Sequence, residues 1–272
     1  MKLRPQYVEK PWGRHDLPEW ADPPANLGEP IGELWFTAPD AGPMPLLVKY
    51  LFTSERLSVQ VHPDDGQGIA RGLPGGKTEC WYIMSAEPGA TLGIGLSETL
   101  DADALRAAAL DGSIETLMDW HPVHPGDFFF IPAGTVHAVG AGVSLVEIQQ
   151  NVDVTYRLYD YGRPRELHLD DGTAVSRAGP YDMSLALRAA DDDGGTRMLA
   201  SCRQFKVMRT ADARTIRDWL GDGPLWVVPI AGTAEHGGTR AQVGECLWIE
   251  GRDTVTLSEG AIVLAAVAGG SQ

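Results

Sequence analysis

The stretch "GDFFFIPAGTVH", residues 126–137, decides the fold class that the sequence predicts. Gly126 and the aspartate after it predict a tight turn, and residues 127–131 form an apolar run that is typical of a buried strand. The Pro-Ala-Gly sequence at 132–134 then turns the chain, so that His137 begins a return strand. A histidine at this position is either a hydrogen-bonded core residue or a metal ligand.

The stretch "SVQVHPDD", residues 58–65, predicts a second strand, which a proline ends. Side chains alternate between the two faces of a strand, so Gln60 and His62 point the same way. Glu79 opens a further predicted strand in "GGKTECWY". Each residue also has an ordinary interpretation, as a glutamine on a barrel wall, a core histidine or a solvated glutamate. Together with His137 they offer two imidazoles, a carboxylate and an amide oxygen, a set that suits a divalent ion, with Zn²⁺ the default.

The composition limits the class of protein and its partners. A hydrophobic share of 43% and a charged share of 22% are those of a soluble globular protein. The formal net charge of −15 repels nucleic acid and anionic membranes, so we expect neither as a partner. No apolar run is long enough to span a membrane, and the first residues carry no apolar segment of a secretory signal. Three widely separated cysteines support no disulfide framework, so we expect a cytoplasmic location.

The pattern along the chain is mostly that of short strands, with dense turn signals from 32 glycines and 19 prolines. One segment, at about 100–120, has helical spacing, with Thr99 as a possible cap of its first helix. It predicts a small helical insertion in an antiparallel barrel or jelly roll. We therefore predict a domain over 1–170 that carries the metal site and a connecting segment over 171–200. Residues 201–272 predict a second β-rich half without metal ligands.

Several motifs resemble those of one family. The strings "QVHPDD", "GKTECWY", "FFIPAGTVHAV" and "VEIQQNVDVTYRLYDYGR" are similar to the motif series of type I mannose-6-phosphate isomerases in their short bacterial form. The likeness runs from about residue 5 to 170, with "KPWG" and "IGELW" in similar places. The strand-turn-strand motif at 126–137 also resembles the second motif of the cupin superfamily, although Ala141 stands where an asparagine is usual.

This resemblance implies a zinc-dependent cupin enzyme that interconverts mannose 6-phosphate and fructose 6-phosphate, followed by a degenerate cupin-like half. It implies one Zn²⁺ per chain, bound by the four ligand candidates Gln60, His62, Glu79 and His137. It further implies that Arg157 is needed for catalysis and that Asp153 and Lys77 are candidates for acid–base roles. Isomerisation through a cis-enediol needs an electrophile, a base and a phosphate clamp, and the sequence leaves the identity of the base open.

A phosphorylated substrate in an acidic protein needs a local group of cations. The candidates for the phosphate are Lys49, Arg71 and Arg163, which lie near the ligand motifs in the sequence. Lys49 also has an ordinary interpretation as an edge residue whose ammonium reaches solvent, and Arg163 as a solvated loop arginine.

Three functions are compatible with these features. A sugar-phosphate isomerase accounts for the ligand candidates, the cations and the helical insertion together. Another cupin metalloenzyme, such as an iron dioxygenase, leaves the cations without a purpose, and Co²⁺, Mn²⁺ and Fe²⁺ also suit the ligand set. A non-catalytic sugar-binding cupin predicts the loss of a ligand or of Arg157, and neither is lost. We therefore expect the isomerase, with a phosphorylated hexose as its partner and with self-association possible but not readable from the sequence.

Overall fold

The computed structural model describes residues 1–23, 28–191, 194–221, 223–250 and 255–269. Within them the chain is mostly antiparallel β-structure, as predicted. The strands are β1 (Arg4–Arg14), β2 (Ile31–Thr37), β3 (Leu46–Phe52), β4 (Val59–Val61), β5 (Glu79–Ala86), β6 (Thr91–Leu96), β7 (Met118–Pro122), β8 (Phe128–Ile131), β9 (His137–Val139), β10 (Val143–Gln150), β11 (Tyr156–Tyr159), β12 (Ala186–Leu187), β13 (Arg197–Ser201), β14 (Phe205–Thr210), β15 (Leu225–Ala231), β16 (Thr233–His236), β17 (Thr239–Gln242), β18 (Leu247–Ile249), β19 (Thr256–Leu257) and β20 (Ile262–Ala268). The α-helices are α1 (Asp65–Ala70), α2 (Ala102–Asp111), α3 (Ile114–Leu117), α4 (Leu169–Val175) and α5 (Ala213–Leu220). Short 3₁₀ turns cover Glu19–Ala21, Pro39–Ala41, Met183–Leu185 and Ala189–Asp191.

The chain forms two compact units whose limits differ from the predicted domains. The mid-chain unit comprises Phe52–Leu145 and Gln149–Ala186. The terminal unit comprises the described parts of Met1–Leu51, Val146–Ile148 and Leu187–Gln272.

In the terminal unit, the first residues of the chain hydrogen-bond to the segment at β18. The Leu3 N–H donates to the Cys246 carbonyl at 2.9 Å, and the Trp248 N–H donates to the Met1 carbonyl at 2.8 Å. Such pairing between distant parts of the chain leaves no periodic signal in the sequence. The predicted connecting segment 171–200 contains the end of α4, β12 and most of β13. Residues 192–193 of this segment and 270–272 of the last predicted domain are among those outside the described part.

In the terminal unit, β2 pairs with both β1 and β3, and the strands β13-β14-β20-β15-β18 form a five-stranded sheet. One face of this sheet buries Leu225, Val227, Val263 and Ala265 in a core that also receives Ile216 of α5. The strands β17-β16-β19 make a smaller sheet against the same core. The strands β14 to β20, with α5, lie within the range 201–272 that the sequence predicts as a second β-rich half.

In the mid-chain unit, the strands β11-β4-β9-β6-β7 form a five-stranded antiparallel sheet, and β5 pairs with β8. The helices α2 and α3 form the predicted insertion. We expected Thr99 to cap α2, but its N-cap is Asp101, whose carboxylate accepts a hydrogen bond from the Ala104 N–H at 2.8 Å. No helix of the described residues is long and apolar enough to cross a membrane.

The packing of α2 gives the first prediction. Leu105 is 0% exposed and packs in the core below the five-stranded sheet, whereas Leu110 on the same helix is 65% exposed. Leu105→Ala is expected to lower the free energy of unfolding by about 2–5 kcal/mol, because it removes buried apolar contacts and leaves a cavity. Leu110→Ala is the matched control and should change it by no more than about 0.5 kcal/mol. Urea unfolding measures both, and equal losses would show that α2 does not pack as described.

Candidate metal centre

Three buried side chains from separate strands converge in the mid-chain unit. Glu79 is the first residue of β5, His137 is the first residue of β9, and His62 directly follows β4. Glu79 Oε2 lies 3.4 Å from His62 Nε2, and Glu79 Oε1 lies 3.3 Å from His137 Nε2. The candidate ligand atoms all lie within 4.8 Å of one another. Each side chain is at most 2% exposed, so the cluster is an interior feature.

Gln60 joins this cluster through the strand register. It lies directly opposite His137 in the β4–β9 pair, and opposed residues of antiparallel strands share a face. Gln60 Nε2 is 3.3 Å from His137 Nε2, so the amide reaches the cluster. A rotation of the amide by 180° presents Oε1 in place of Nε2. A metal ion prefers this oxygen to the amide nitrogen.

The hydrogen bonds around the cluster orient its ligands. His137 Nδ1 donates to the Thr135 carbonyl at 2.9 Å, which leaves the Nε2 lone pair directed at Glu79. The Gly134 N–H donates to the His62 carbonyl at 2.8 Å, and Gly134 has φ of 88°, a conformation that glycine adopts without strain. The turn predicted at 132–134 thus holds the ends of β4 and β9 together.

The charge state of the cluster fits a divalent metal ion. Neither ring nitrogen of His62 and neither carboxylate oxygen of Glu79 has a hydrogen-bond partner among the described residues, although all four atoms are buried. Burial, with the nearby charge of Lys77, lowers the pKa of His62 to about 3, so its imidazole is neutral at pH 7. Burial raises the pKa of Glu79, but the charge of Lys77 and the contacts with the two histidines outweigh it and hold that pKa well below its usual range. A neutral imidazole of His62 without a hydrogen-bond partner in the described part of the chain and an ionised Glu79 are costly to bury, and imidazole nitrogens and carboxylate oxygens are the donors that a metal such as Zn²⁺ takes.

Arg157 lies in the same cross-strand row. It is opposite Gln60 in the β11–β4 pair, so its side chain starts from the face that carries the candidate ligands. Its Nη1 donates to the Glu166 carbonyl at 2.6 Å, and Nε is buried without a hydrogen-bond partner among the described residues. The Arg157 N–H donates to His168 Nδ1 at 3.1 Å, and the His168 N–H donates back to the Arg157 carbonyl at 2.7 Å. These two hydrogen bonds fix the backbone of Arg157 in this row.

Comparison with known proteins adds sequence relatives for part of the chain. No family model matches the sequence. Mannose-6-phosphate isomerase of Streptococcus mutans is 39% identical over 164 residues, which are 56% of this chain and 52% of that protein. Mannose-6-phosphate isomerase of Bacillus subtilis is 42% identical over 161 residues, which are 54% of this chain and 51% of that protein. The chain spans about half the length of the curated relatives it matches.

Solved structures are similar over nearly the whole chain. The crystal structure of mannose 6-phosphate isomerase from Bacillus subtilis has a TM-score of 0.78 at 24% identity and covers 97% of this chain and 98% of its own. The chain has the fold of the mannose-6-phosphate isomerases. A variant of phosphomannose isomerase from Salmonella typhimurium has a TM-score of 0.69 at 14% identity, with 98% of this chain and 99% of its own covered. The cupin-type fold class and the resemblance that the motifs indicated are thereby confirmed.

The two acid–base candidates lie in different surroundings. Lys77 is 6% exposed, and its Nζ lies 3.3 Å from Glu79 Oε2, so it borders the metal centre. Asp153 is exposed, in the segment that precedes β11. Its neighbours Val152 and Val154 are buried, and β11 begins two residues later, at Tyr156. The catalytic roles of both residues stay predictions.

The three phosphate candidates are each held by carboxylates. Lys49, in the terminal unit, is 5% exposed, and its Nζ lies 3.4 Å from Glu33 Oε1 and 3.0 Å from Glu147 Oε1. It is therefore not an edge residue whose ammonium reaches solvent. In the mid-chain unit, Arg163 Nη2 lies 2.9 Å from Asp160 Oδ1. The third candidate, Arg71, is exposed and donates from Nε to Asp171 Oδ1 at 2.7 Å. Their assignment to the substrate phosphate also stays a prediction.

The sequence reasoning missed the buried acids that accompany these cations. Glu33 and Glu147 stand inside apolar strands, "IGELW" and "VSLVEIQQ", and an acid inside such a strand is a signal of a buried ion pair. Asp160 is 3% exposed, and its carboxylate also accepts hydrogen bonds from Arg165. Arg165 Nε donates to Oδ2 at 2.6 Å and Nη2 donates to Oδ1 at 2.7 Å. Arginines three and five residues after a buried aspartate could have indicated this loop.

Proposed function

We propose that the protein interconverts D-mannose 6-phosphate and D-fructose 6-phosphate through a cis-enediol, with one Zn²⁺ per chain. The observation that carries this proposal is the buried cluster of His62, Glu79 and His137, with Gln60 and Arg157 in the adjoining cross-strand row. The fold and the relatives over about half the chain support it. Activity, substrate and metal identity are parts of this proposal.

The reaction moves a proton between C1 and C2 and exchanges a carbonyl between these carbons. A Zn²⁺ held by the four candidate ligands supplies a Lewis acid for the substrate oxygens. Glu79 contributes the single negative charge of the ligand set, so the centre keeps a net positive charge. With the metal bound, this positive charge would stabilise negative charge that develops on a substrate oxygen.

The side chains of this protein supply the other requirements. The guanidinium of Arg157, which has N–H groups besides the one that binds Glu166, donates to an oxygen on which charge develops. Lys77 and Asp153 are the candidates for moving the proton, and Lys77 is the buried one. Arg163 lines an open cleft of about 270 Å³ with Glu55, Arg56 and Tyr161, which offers room for a phosphate group. Arg71 and Lys49 are the other two candidates for contact with a phosphate.

The remaining expectations about context belong to the same proposal. The partner is a phosphorylated hexose, and neither nucleic acid nor a membrane is proposed, because the net charge of −15 repels both. The three cysteines and the acidic composition favour the cytoplasm as the location.

The test is product formation on a panel of substrates. Protein stripped with a chelator is assayed with mannose 6-phosphate and with its epimer glucose 6-phosphate, before and after Zn²⁺ is restored. We expect fructose 6-phosphate to form from mannose 6-phosphate, and to form only when the metal is present. Bound metal without fructose 6-phosphate would contradict the substrate assignment, and oxygen consumption with Fe²⁺ would then favour a dioxygenase.

A further inference from the structure

The segment between two of the candidate ligands, His62 and Glu79, folds back on itself. It contains α1 and a glycine-rich loop, and the loop returns to the residues that follow His62. The Lys77 N–H donates to the Pro63 carbonyl at 2.9 Å. A Cβ on Gly76 would lie 2.4 Å from the Asp64 carbonyl carbon, so only glycine allows the two backbones to approach this closely.

Two side chains outside the candidate ligand set close this fold. Asp65 Oδ1 accepts from the Gly76 N–H at 3.0 Å and from Gln150 Nε2 at 2.7 Å. Gln150 Oε1 accepts from the Thr78 N–H at 2.9 Å, and the Gln150 N–H donates to the Thr78 carbonyl at 3.1 Å. Thr78 is the residue directly before Glu79. The Asp65–Gln150 bridge therefore connects the chain after His62 to the chain before Glu79.

We propose that Asp65 and Gln150 are positioning residues that set the separation of His62 and Glu79 and thereby the affinity of the site for a divalent metal ion. A ligand set binds tightly when its backbone is fixed before the metal arrives, and hydrogen-bonded neighbours of the ligands supply that constraint. The inference rests on the metal centre of the proposed function and is independent of its substrate.

The charge and shape of the bridge indicate which substitution breaks it. Gln150→Glu keeps the size of the side chain and its acceptor for Thr78, but it replaces the N–H donor with a carboxylate facing Asp65. Two carboxylates in contact repel each other, so the loop is expected to move away from α1. Asp65→Asn keeps an acceptor oxygen and serves as the conservative variant. Asp65→Ala removes the acceptor without adding charge.

The experiment measures Zn²⁺ affinity by competition with a chromophoric chelator on the full chain, with folding of the metal-free protein checked by circular dichroism. Gln150→Glu is expected to weaken Zn²⁺ binding about 10–100-fold, and Asp65→Asn by much less. The matched control is Asp101→Ala, which removes the cap of α2 in the same unit. It should lower the melting temperature without changing the Zn²⁺ dissociation constant.

The outcomes separate this inference from the proposed function. Wild-type Zn²⁺ affinity in Gln150→Glu would overturn the positioning role. An equal loss of Zn²⁺ affinity in Asp101→Ala would also overturn it, because the loss would then be a general effect on stability. If Gln150→Glu does not fold, Asp65→Ala gives the same test, with weakened Zn²⁺ binding expected. If the variants show the expected Zn²⁺ affinities but the protein has no isomerase activity, the positioning role is supported and the proposed substrate is contradicted.

Discussion

His62→Ala is expected to lose bound Zn²⁺ and isomerase activity together. The substitution removes one of the two candidate imidazole ligands from a cluster whose members His62, Glu79 and His137 are each at most 2% exposed. Since altering a neighbour of a metal ligand lowers metal affinity about 10–100-fold, loss of the ligand itself should lower it by more than about 100-fold. Metal content by elemental analysis and turnover of mannose 6-phosphate are measured on the same preparation.

His124→Ala is the matched control for this prediction. His124 lies in the same unit, and its side chain is 76% exposed, so its loss should change neither metal content nor turnover. A His62→Ala protein with full metal content and full turnover would show that the buried cluster is a structural feature of the core.

Arg157→Lys is expected to lower kcat by about 10²–10³-fold and to leave the metal content unchanged. Lysine keeps the positive charge but lacks the planar set of donors, so it cannot both bind the Glu166 carbonyl and donate to the substrate, as we propose for Arg157. Steady-state kinetics and metal analysis together check the result.

Arg106→Lys is the matched control, because Arg106 lies in the same unit and forms a partly exposed ion pair with Asp170. It should leave kcat unchanged. If Arg157→Lys loses metal in proportion to its activity, then Arg157 acts through the metal site. An unchanged kcat in Arg157→Lys would show that Arg157 has no catalytic role.

The local parts of the candidate site could be predicted because they depend on short-range geometry. Strand alternation placed Gln60 and His62 on one face, and in the structure both reach the cluster of Glu79 and His137. The turn at 132–134 likewise follows from a proline and a glycine whose backbone preferences are known. The convergence of the strands themselves was suggested by the family resemblance, because no periodic pattern says which strands become neighbours.

Several contacts that sequence reasoning missed join distant residues. Lys49 pairs with Glu33 and Glu147 from two other strands, and Gln150 bridges to Asp65 across the loop before Glu79. The cap of α2 was misplaced by local ambiguity, since Thr99 and Asp101 are both good capping residues and only the Asp101 carboxylate meets the Ala104 N–H.

The most direct test of the proposed metal-dependent isomerisation is a titration of the stripped protein with Zn²⁺. Isomerisation of mannose 6-phosphate is followed while Zn²⁺ is added in small steps and bound metal is measured in parallel. Activity should rise in proportion to bound Zn²⁺ and stop rising at one ion per chain. Full activity in the stripped protein, or stoichiometric binding without any isomerisation, would contradict the account.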